Sequence, residues 1–197
     1  MQDAPIKLAV IIGSVRGGRF SPTVARWFTR QAERHGGVEA ELVDLADHPL
    51  PLIMPDFGED LDAPTQSVVD GLAAKLAAAD AFVVVTPEYN HSTSPALKNA
   101  IDWYLDEWKT KPVGLVSYGG QGGGLRAAEH LRQIFAEVHA TTVRDVISFH
   151  NSWSDFEADG EPASPEGSEE AAKSLLEQLI WWGSALRDAR AKTPYTS

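Results

Sequence analysis

Short apolar runs alternate with longer amphipathic stretches along the whole chain. Lys7–Ile12, Ala81–Val85 and Pro112–Ser117 are almost wholly apolar, the pattern of strands buried on both faces of a parallel sheet. Val38–Leu45 and Thr141–Ser148 mix charge with apolar positions: Glu39 and Glu41 alternate with Val38, Ala40 and Leu42, and Arg144 and Asp145 adjoin Val143 and Val146. Helical stretches follow the runs. The first is expected from Ser21 or Pro22 to His35, stopped by Gly36-Gly37. The next is expected over Thr65–Ala79, after a proline-rich connection from Asp47 to Pro64. Ser94 as N-cap and Pro95 at the first helical position start a third, to Leu105. Two more are expected over Leu125–Val138 and Ser168–Arg190.

Five β–α units imply an α/β protein with a parallel sheet and helices on both faces. The apolar strands one, three and four belong in the centre, and the charged strands two and five at the edges. The order 2-1-3-4-5 satisfies this; the order 3-2-1-4-5 would expose the Phe82–Val85 run at an edge. The crevice at the switch point then lies between strands one and three. It brings the loop after strand one, GSVRGGRFSPT, opposite the loop after strand three, TPEYNHS.

The first loop opens toward a helix N-terminus, where free N–H groups and the helix dipole favour an anion. Ser14, Ser21 and Thr23 add hydroxyls around Pro22, and Arg16 adds a planar fork suited to phosphate oxygens. Arg19 is a second cation for the same role or a solvated surface charge. The competing reading is a plain turn with Ser21 as an ordinary N-cap; the clustered hydroxyls and arginines favour a phosphate site. The loop is neither a Walker loop nor the dinucleotide fingerprint, because its glycines fall at 13, 17 and 18. Gly13-Ser14 also lacks the acidic cluster of a receiver domain at this position. The second loop offers Glu88, Tyr89 and Asn90 after Pro87, a rigid lip rich in hydrogen-bonding groups.

A third loop, Tyr118-GGQGGG, follows strand four. Gly122, Gly124 and Ala127 formally match G-x-G-x-x-A, but a run of glycines matches many patterns by chance. Small residues here let the backbone pass close under a flat ring, with N–H groups of Ser117 to Gly120 available to its polar edge.

Length and composition narrow the chemistry. The 197 residues suffice for one sizeable core, so a single domain over 1–197 is expected. There is no cysteine, which removes disulfides, thiol catalysis and thiolate metal sites. The six histidines show no paired ligand spacing, so no metal site is expected. A net charge of −11 argues against nucleic acid as a partner. No apolar stretch reaches the length of a membrane span and the N-terminus does not read as a signal peptide, so a soluble cytoplasmic protein is expected. The charge is uneven. Residues 1–35 hold six Lys or Arg against two acids, around the phosphate loop, whereas residues 155–170 hold seven acids and no base and read as a solvated loop. Trp103, Trp108, Trp181 and Trp182 read as core or interface anchors, and Lys98–Asp102 as an exposed i,i+4 pair.

Read together, GSVRGGRFSPTVARWF, TPEYNHSTSPALKNAIDW and SYGGQGGGLRAAEHLRQIF resemble the NADPH-dependent FMN reductase family of flavodoxin-like quinone, azo and flavin reductases. The resemblance spans about residues 6–150, and PEYN-x-S-x-x-x-LKNAIDW is its most specific part. It implies a flavodoxin-like three-layer sandwich that binds FMN. The phosphate would lie at Ser14, Arg16, Ser21, Pro22 and Thr23, with Arg19 beside them. The ring would lie against Pro87, Glu88, Tyr89 and Asn90, and its pyrimidine side against Ser117, Tyr118, Gly119 and Gly120. The resemblance further implies hydride transfer from NADPH, or NADH, through FMN to a quinone, azo compound or free flavin. It implies a homodimer or tetramer as well, with the helix after PEYN in the interface. The flavin carries that chemistry, so no protein acid or base is assigned; Tyr89, His91 or solvent would supply a proton to a quinone. A flavodoxin-like electron carrier or redox sensor without turnover is the alternative. Arg16 and the glycines, which leave room for a nicotinamide, favour the enzyme.

Overall fold

The computed structural model describes residues 4–56 and 58–196. Five parallel strands, β1 (Ile6–Ile12), β2 (Val38–Asp44), β3 (Ala81–Pro87), β4 (Pro112–Tyr118) and β5 (Thr141–Phe149), form one sheet in the order 2-1-3-4-5. The edge and centre assignment therefore holds. Every residue of β3 and β4 is buried, whereas β2 exposes Glu39, Glu41 and Leu42 and β5 exposes Thr141 and Arg144. An extended strand points successive side chains to opposite faces, and here both faces are covered. Val10, Val83, Val85 and Val116 pack with Trp27, Phe28 and Leu176 on one face, while Ile11, Phe82, Val84 and Leu115 pack with Leu72, Leu97 and Phe135 on the other.

The first face is covered by α1 (Ser21–His35) and the long C-terminal α6 (Pro165–Lys192). The second is covered by α2 (Ala63–Ala78), α3 (Pro95–Trp103) and α4 (Leu125–Glu137). Gly36 adopts φ +76° and closes α1 by donating to the Ala32 carbonyl, as the glycine pair predicts. At α3 the Ser94 hydroxyl accepts from the Leu97 amide at 3.2 Å, with Pro95 in the first turn. Both faces of the sheet are buried through local rules that the sequence states openly.

The segment after β5 departs from expectation. It is not a free solvated loop: it forms a short helix, α5 (Ser152–Asp155), and a Phe156–Pro162 bridge. Phe156 packs edge-on against Phe20 at 5.2 Å and Phe149 at 4.9 Å. Arg30 holds Glu161 at 2.7 Å and donates to the Gly160 carbonyl. Trp108 is a core residue as anticipated, but Trp181, 64% exposed, belongs to no core among the described residues. Lys98 and Asp102 form the exposed pair at 2.6 Å. No helix among the described residues is long and apolar enough to cross a membrane.

Candidate functional site

The carboxyl ends of β1, β3 and β4 place the three loops side by side. Gly13 sets the closest approach. Its amide donates to the Val85 carbonyl at 2.9 Å, and a β-carbon on Gly13 would stand only 2.9 Å from that oxygen. The Ser94 hydroxyl donates to the Gly13 carbonyl, so the N-cap of α3 also ties the first loop to the second. The Glu88 amide donates to the Tyr118 carbonyl at 3.1 Å, tying the second loop to the third.

Within this frame lies an open hollow of about 540 Å³ lined by Arg16, Glu88, Tyr89, Asn90, Thr93 and Pro95. Arg16 reaches it from an exposed position and makes no ion pair among the described residues. The N-terminus of α1 has no side-chain cap and no acid in its first turn, so no charge there repels an anion; Pro22 has no N–H, and the Thr23 amide donates to the Phe20 carbonyl at 3.0 Å. These features fit a phosphate group beside Arg16.

The remaining residues of the first loop are placed differently. Ser14 and Ser21 are fully buried, and their hydroxyls already meet phenols, Ser14 with Tyr89 at 2.7 Å and Ser21 with Tyr118 at 2.5 Å. Arg19 donates to the Asp44 carboxylate at 2.6 Å and to the Ser14 carbonyl at 3.0 Å, bracing the loop against the end of β2. Pro22 occupies the first turn of α1. Thr23 borders a separate small hollow with Arg26, Phe156 and Gly160. Burial pushes the Tyr118 phenol up to about 12, with the Ser21 hydrogen bond pulling the other way. The phenol therefore remains protonated and can donate.

The second loop is a two-residue reversal. Tyr89 and Ser92 exchange backbone hydrogen bonds at 2.8 and 3.2 Å, and Asn90 and His91 between them take φ +49° and +76°. Positive φ at both central positions is the mark of a type I′ turn, and it projects Asn90 and His91 outward. Pro87 is buried as the last residue of β3. The Ser92 hydroxyl and His130 Nδ1 share a hydrogen bond at 2.7 Å.

The third loop is packed between two sets of side chains. On one side Glu88 accepts from the Arg126 side chain at 2.7 Å and from its amide at 3.2 Å. On the other side Ser148 donates to the Gly123 carbonyl at 2.8 Å, and Ser117 donates to the same carbonyl at 2.9 Å. Gly123, at φ +57°, is required there because a β-carbon would lie 2.3 Å from the Ser148 oxygen. The Gly119 amide donates to the Phe149 carbonyl at 3.1 Å and is thus already engaged. Gly119 and Gly120 are half-buried beside Glu88 and Trp153 respectively.

Sequence reasoning gathers Arg16, Glu88, Tyr89 and Asn90 correctly around one hollow. It misses Arg126, His130 and the two serine–tyrosine pairs. One signal for Arg126 was available: a cation in the first turn of a helix opposes the helix dipole, which points to a specific acidic partner. Nothing in the linear pattern marks the others.

A parallel 2-1-3-4-5 sheet with an anion-receptive first loop and a polar hollow at its switch point defines the class of flavodoxin-like proteins. The family model described as NADPH-dependent FMN reductase matches residues 6–154, and the chain belongs to that family. It is 43% identical over 122 residues to an NAD(P)H-dependent FMN reductase of Schizosaccharomyces pombe, a match covering 60% of each chain. It is 34% identical to a probable NADPH:quinone oxidoreductase 2 of Oryza sativa, over 87% of this chain and 86% of that one. An FMN-dependent NADPH-azoreductase of Staphylococcus aureus is 36% identical over 75% of this chain and 78% of its own length. Among solved structures, the flavoenzyme NAD(P)H:(acceptor) oxidoreductase FerB from Paracoccus denitrificans superposes with TM-score 0.72 at 25% identity, covering 91% of this chain and 98% of FerB.

Proposed function

We propose that the chain is an FMN-dependent NAD(P)H oxidoreductase passing reducing equivalents from NADPH, with NADH as the alternative donor, to a quinone, azo compound or free flavin. One observation carries the reading: Arg16, which makes no ion pair among the described residues, borders the same hollow as Glu88, Tyr89 and Asn90. Membership of the FMN reductase family and the names of its relatives support it.

Bound FMN would supply the hydride-accepting and hydride-donating chemistry. The protein's own groups bind and orient. Arg16 holds the phosphate. Tyr89 and Tyr118 fix the hydroxyls of Ser14 and Ser21. Arg19 acts at one remove, through its grip on the Ser14 carbonyl and Asp44. Pro87, Glu88, Tyr89 and Asn90 flank the ring, and Ser117 to Gly120 approach its polar edge. Pro22 has no N–H and the Thr23 amide already donates to the Phe20 carbonyl, which leaves only the Thr23 hydroxyl of this pair for the phosphate.

Residues 1–197 are read as one flavodoxin-like FMN-binding domain in a cytoplasmic homodimer, or a tetramer built from it. Leu52 and Ile53, 80% and 88% exposed, support an interface. Leu52 stands with Val15 beside an apolar hollow of about 370 Å³ floored by Pro95, Asn99 and Ala100 of α3.

The test is a pair of titrations with FMN and riboflavin, followed by assay of NADPH oxidation with a quinone. Tighter binding of FMN than of riboflavin, with quinone-dependent NADPH oxidation, is the expected result. Equal binding would remove the phosphate site, and FMN binding without NADPH oxidation would leave an electron carrier.

A further inference from the structure

We infer that Trp153 sets acceptor specificity: its indole forms a stacking wall beside the flavin hollow that favours flat aromatic acceptors over acceptors without a ring. This rests on the flavin reductase reading. Trp153 lies on α5, outside the loops assigned to the cofactor, and is 70% exposed. An indole left so open on an otherwise anchored turn forgoes much of the favourable burial that such a ring normally gains.

The anchoring is specific. The amides of Asn151 and Ser152 donate to the carbonyls of Gly120 and Gly119 at 3.0 and 3.2 Å. Ser152 is buried, and the Ser154 amide and hydroxyl both donate to the Asn151 carbonyl at 2.9 Å. His150 shares a 2.8 Å hydrogen bond with the Gln121 carbonyl, which fixes the turn to the far side of the same loop. None of these bonds requires an indole at 153.

The ring is consequently delivered to one place. A β-carbon on Gly120 would stand 3.3 Å from Cη2 of Trp153, and one on Gly119 would stand 3.6 Å from Cβ of Glu88. Glu88, Gly119, Gly120 and Trp153 thus form a continuous wall running out of the hollow. Gly120 lets the indole edge lie against the loop; a side chain there would crowd it.

An electron-rich indole stacks favourably on an electron-poor planar ring. A quinone gains from that contact, and an acceptor without a ring does not.

The test compares wild type, Trp153→Ala and Trp153→Phe, each loaded with FMN. Equilibrium dialysis of 2-methyl-1,4-naphthoquinone against oxidised protein, without NADPH, reads binding apart from turnover. Trp153→Ala is expected to bind the quinone about tenfold more weakly, and Trp153→Phe to retain most of the affinity. In steady state the quinone KM rises by a similar factor in Trp153→Ala, while the NADPH KM and the rate with ferricyanide, an anionic acceptor without a ring, stay unchanged. Quinone affinity equal to wild type in Trp153→Ala, with normal flavin reduction by NADPH, overturns the assignment and leaves the flavin reading intact. Equal losses for quinone and ferricyanide also overturn it, as a merely structural effect. Failure of the wild type itself to be reduced by NADPH overturns both.

Discussion

The two ends of the sheet are built on opposite plans. At the amino ends of the strands, charge closes the structure. Asp80 accepts from the Lys7 amide at 3.1 Å and pairs with Arg187 at 3.2 Å and Arg190 at 3.6 Å. Those arginines continue to the carbonyls of Ala4, Pro5 and Thr110. Lys111, buried against the Phe82 ring, donates to the carbonyls of Leu76 and Ala77 at the end of α2. At the carboxyl ends the pattern reverses. Arg16 has no acidic partner among the described residues, and the Trp153 indole faces solvent. At the amino end the charged groups are committed to one another; at the carboxyl end, beside committed pairs such as Glu88–Arg126 and Arg19–Asp44, Arg16 is left for a ligand. Open donors cost little where water reaches them and bind strongly once a ligand replaces that water.

The contrast is breakable from either end. The largest effect is expected from Asp80→Ala, which strands Arg187 and Arg190 and should cost about 2–4 kcal/mol of unfolding free energy. Denaturant titration reads the loss, and FMN affinity measured on the folded fraction should not move. Next is Arg16→Ala. It should weaken FMN binding roughly 10- to 100-fold, through loss of charge-assisted bonds, with riboflavin affinity and thermal stability unchanged. Equal loss for both flavins would contradict the division between the two ends.

A smaller effect concerns pH. Burial, then repulsion by Arg190, lowers Lys111 to about 8, opposed by Asp80 and Glu107. Between about pH 8 and the ordinary lysine value near 10.4, the unfolded chain binds a proton that the folded chain does not. Stability relative to Lys111→Met should therefore rise with pH across that window, by on the order of 1–3 kcal/mol, and be flat below it. A difference curve that falls with rising pH would contradict the burial. The smallest change is expected at the turn tip. His91→Gly relieves a positive φ and should stabilise by about 0.5–1 kcal/mol.

Much of this was legible in the chain because it follows local rules. Apolar runs placed β1, β3 and β4 in the centre, Ser94-Pro95 announced α3, and the glycines and Arg16 marked the crevice. What stayed hidden depends on contacts between distant positions. Arg30 and Glu161 are 131 residues apart and Ser21 and Tyr118 are 97 apart, and no periodicity couples them. The acidic segment after β5 therefore read as solvated, although Phe156 anchors it against Phe20. Arg19 read as either a second phosphate cation or a solvated charge for the same reason: its partner, Asp44, lies on a different strand.

The central claim is that the carboxyl-end hollow holds FMN for reduction by a nicotinamide nucleotide. The most direct measurement is to load the protein with FMN, exclude oxygen, add one equivalent of NADPH and record the visible flavin band. The account predicts that the band bleaches and that a quinone restores it in the same cuvette. A band that persists with both NADPH and NADH, in protein shown to retain FMN, would contradict it.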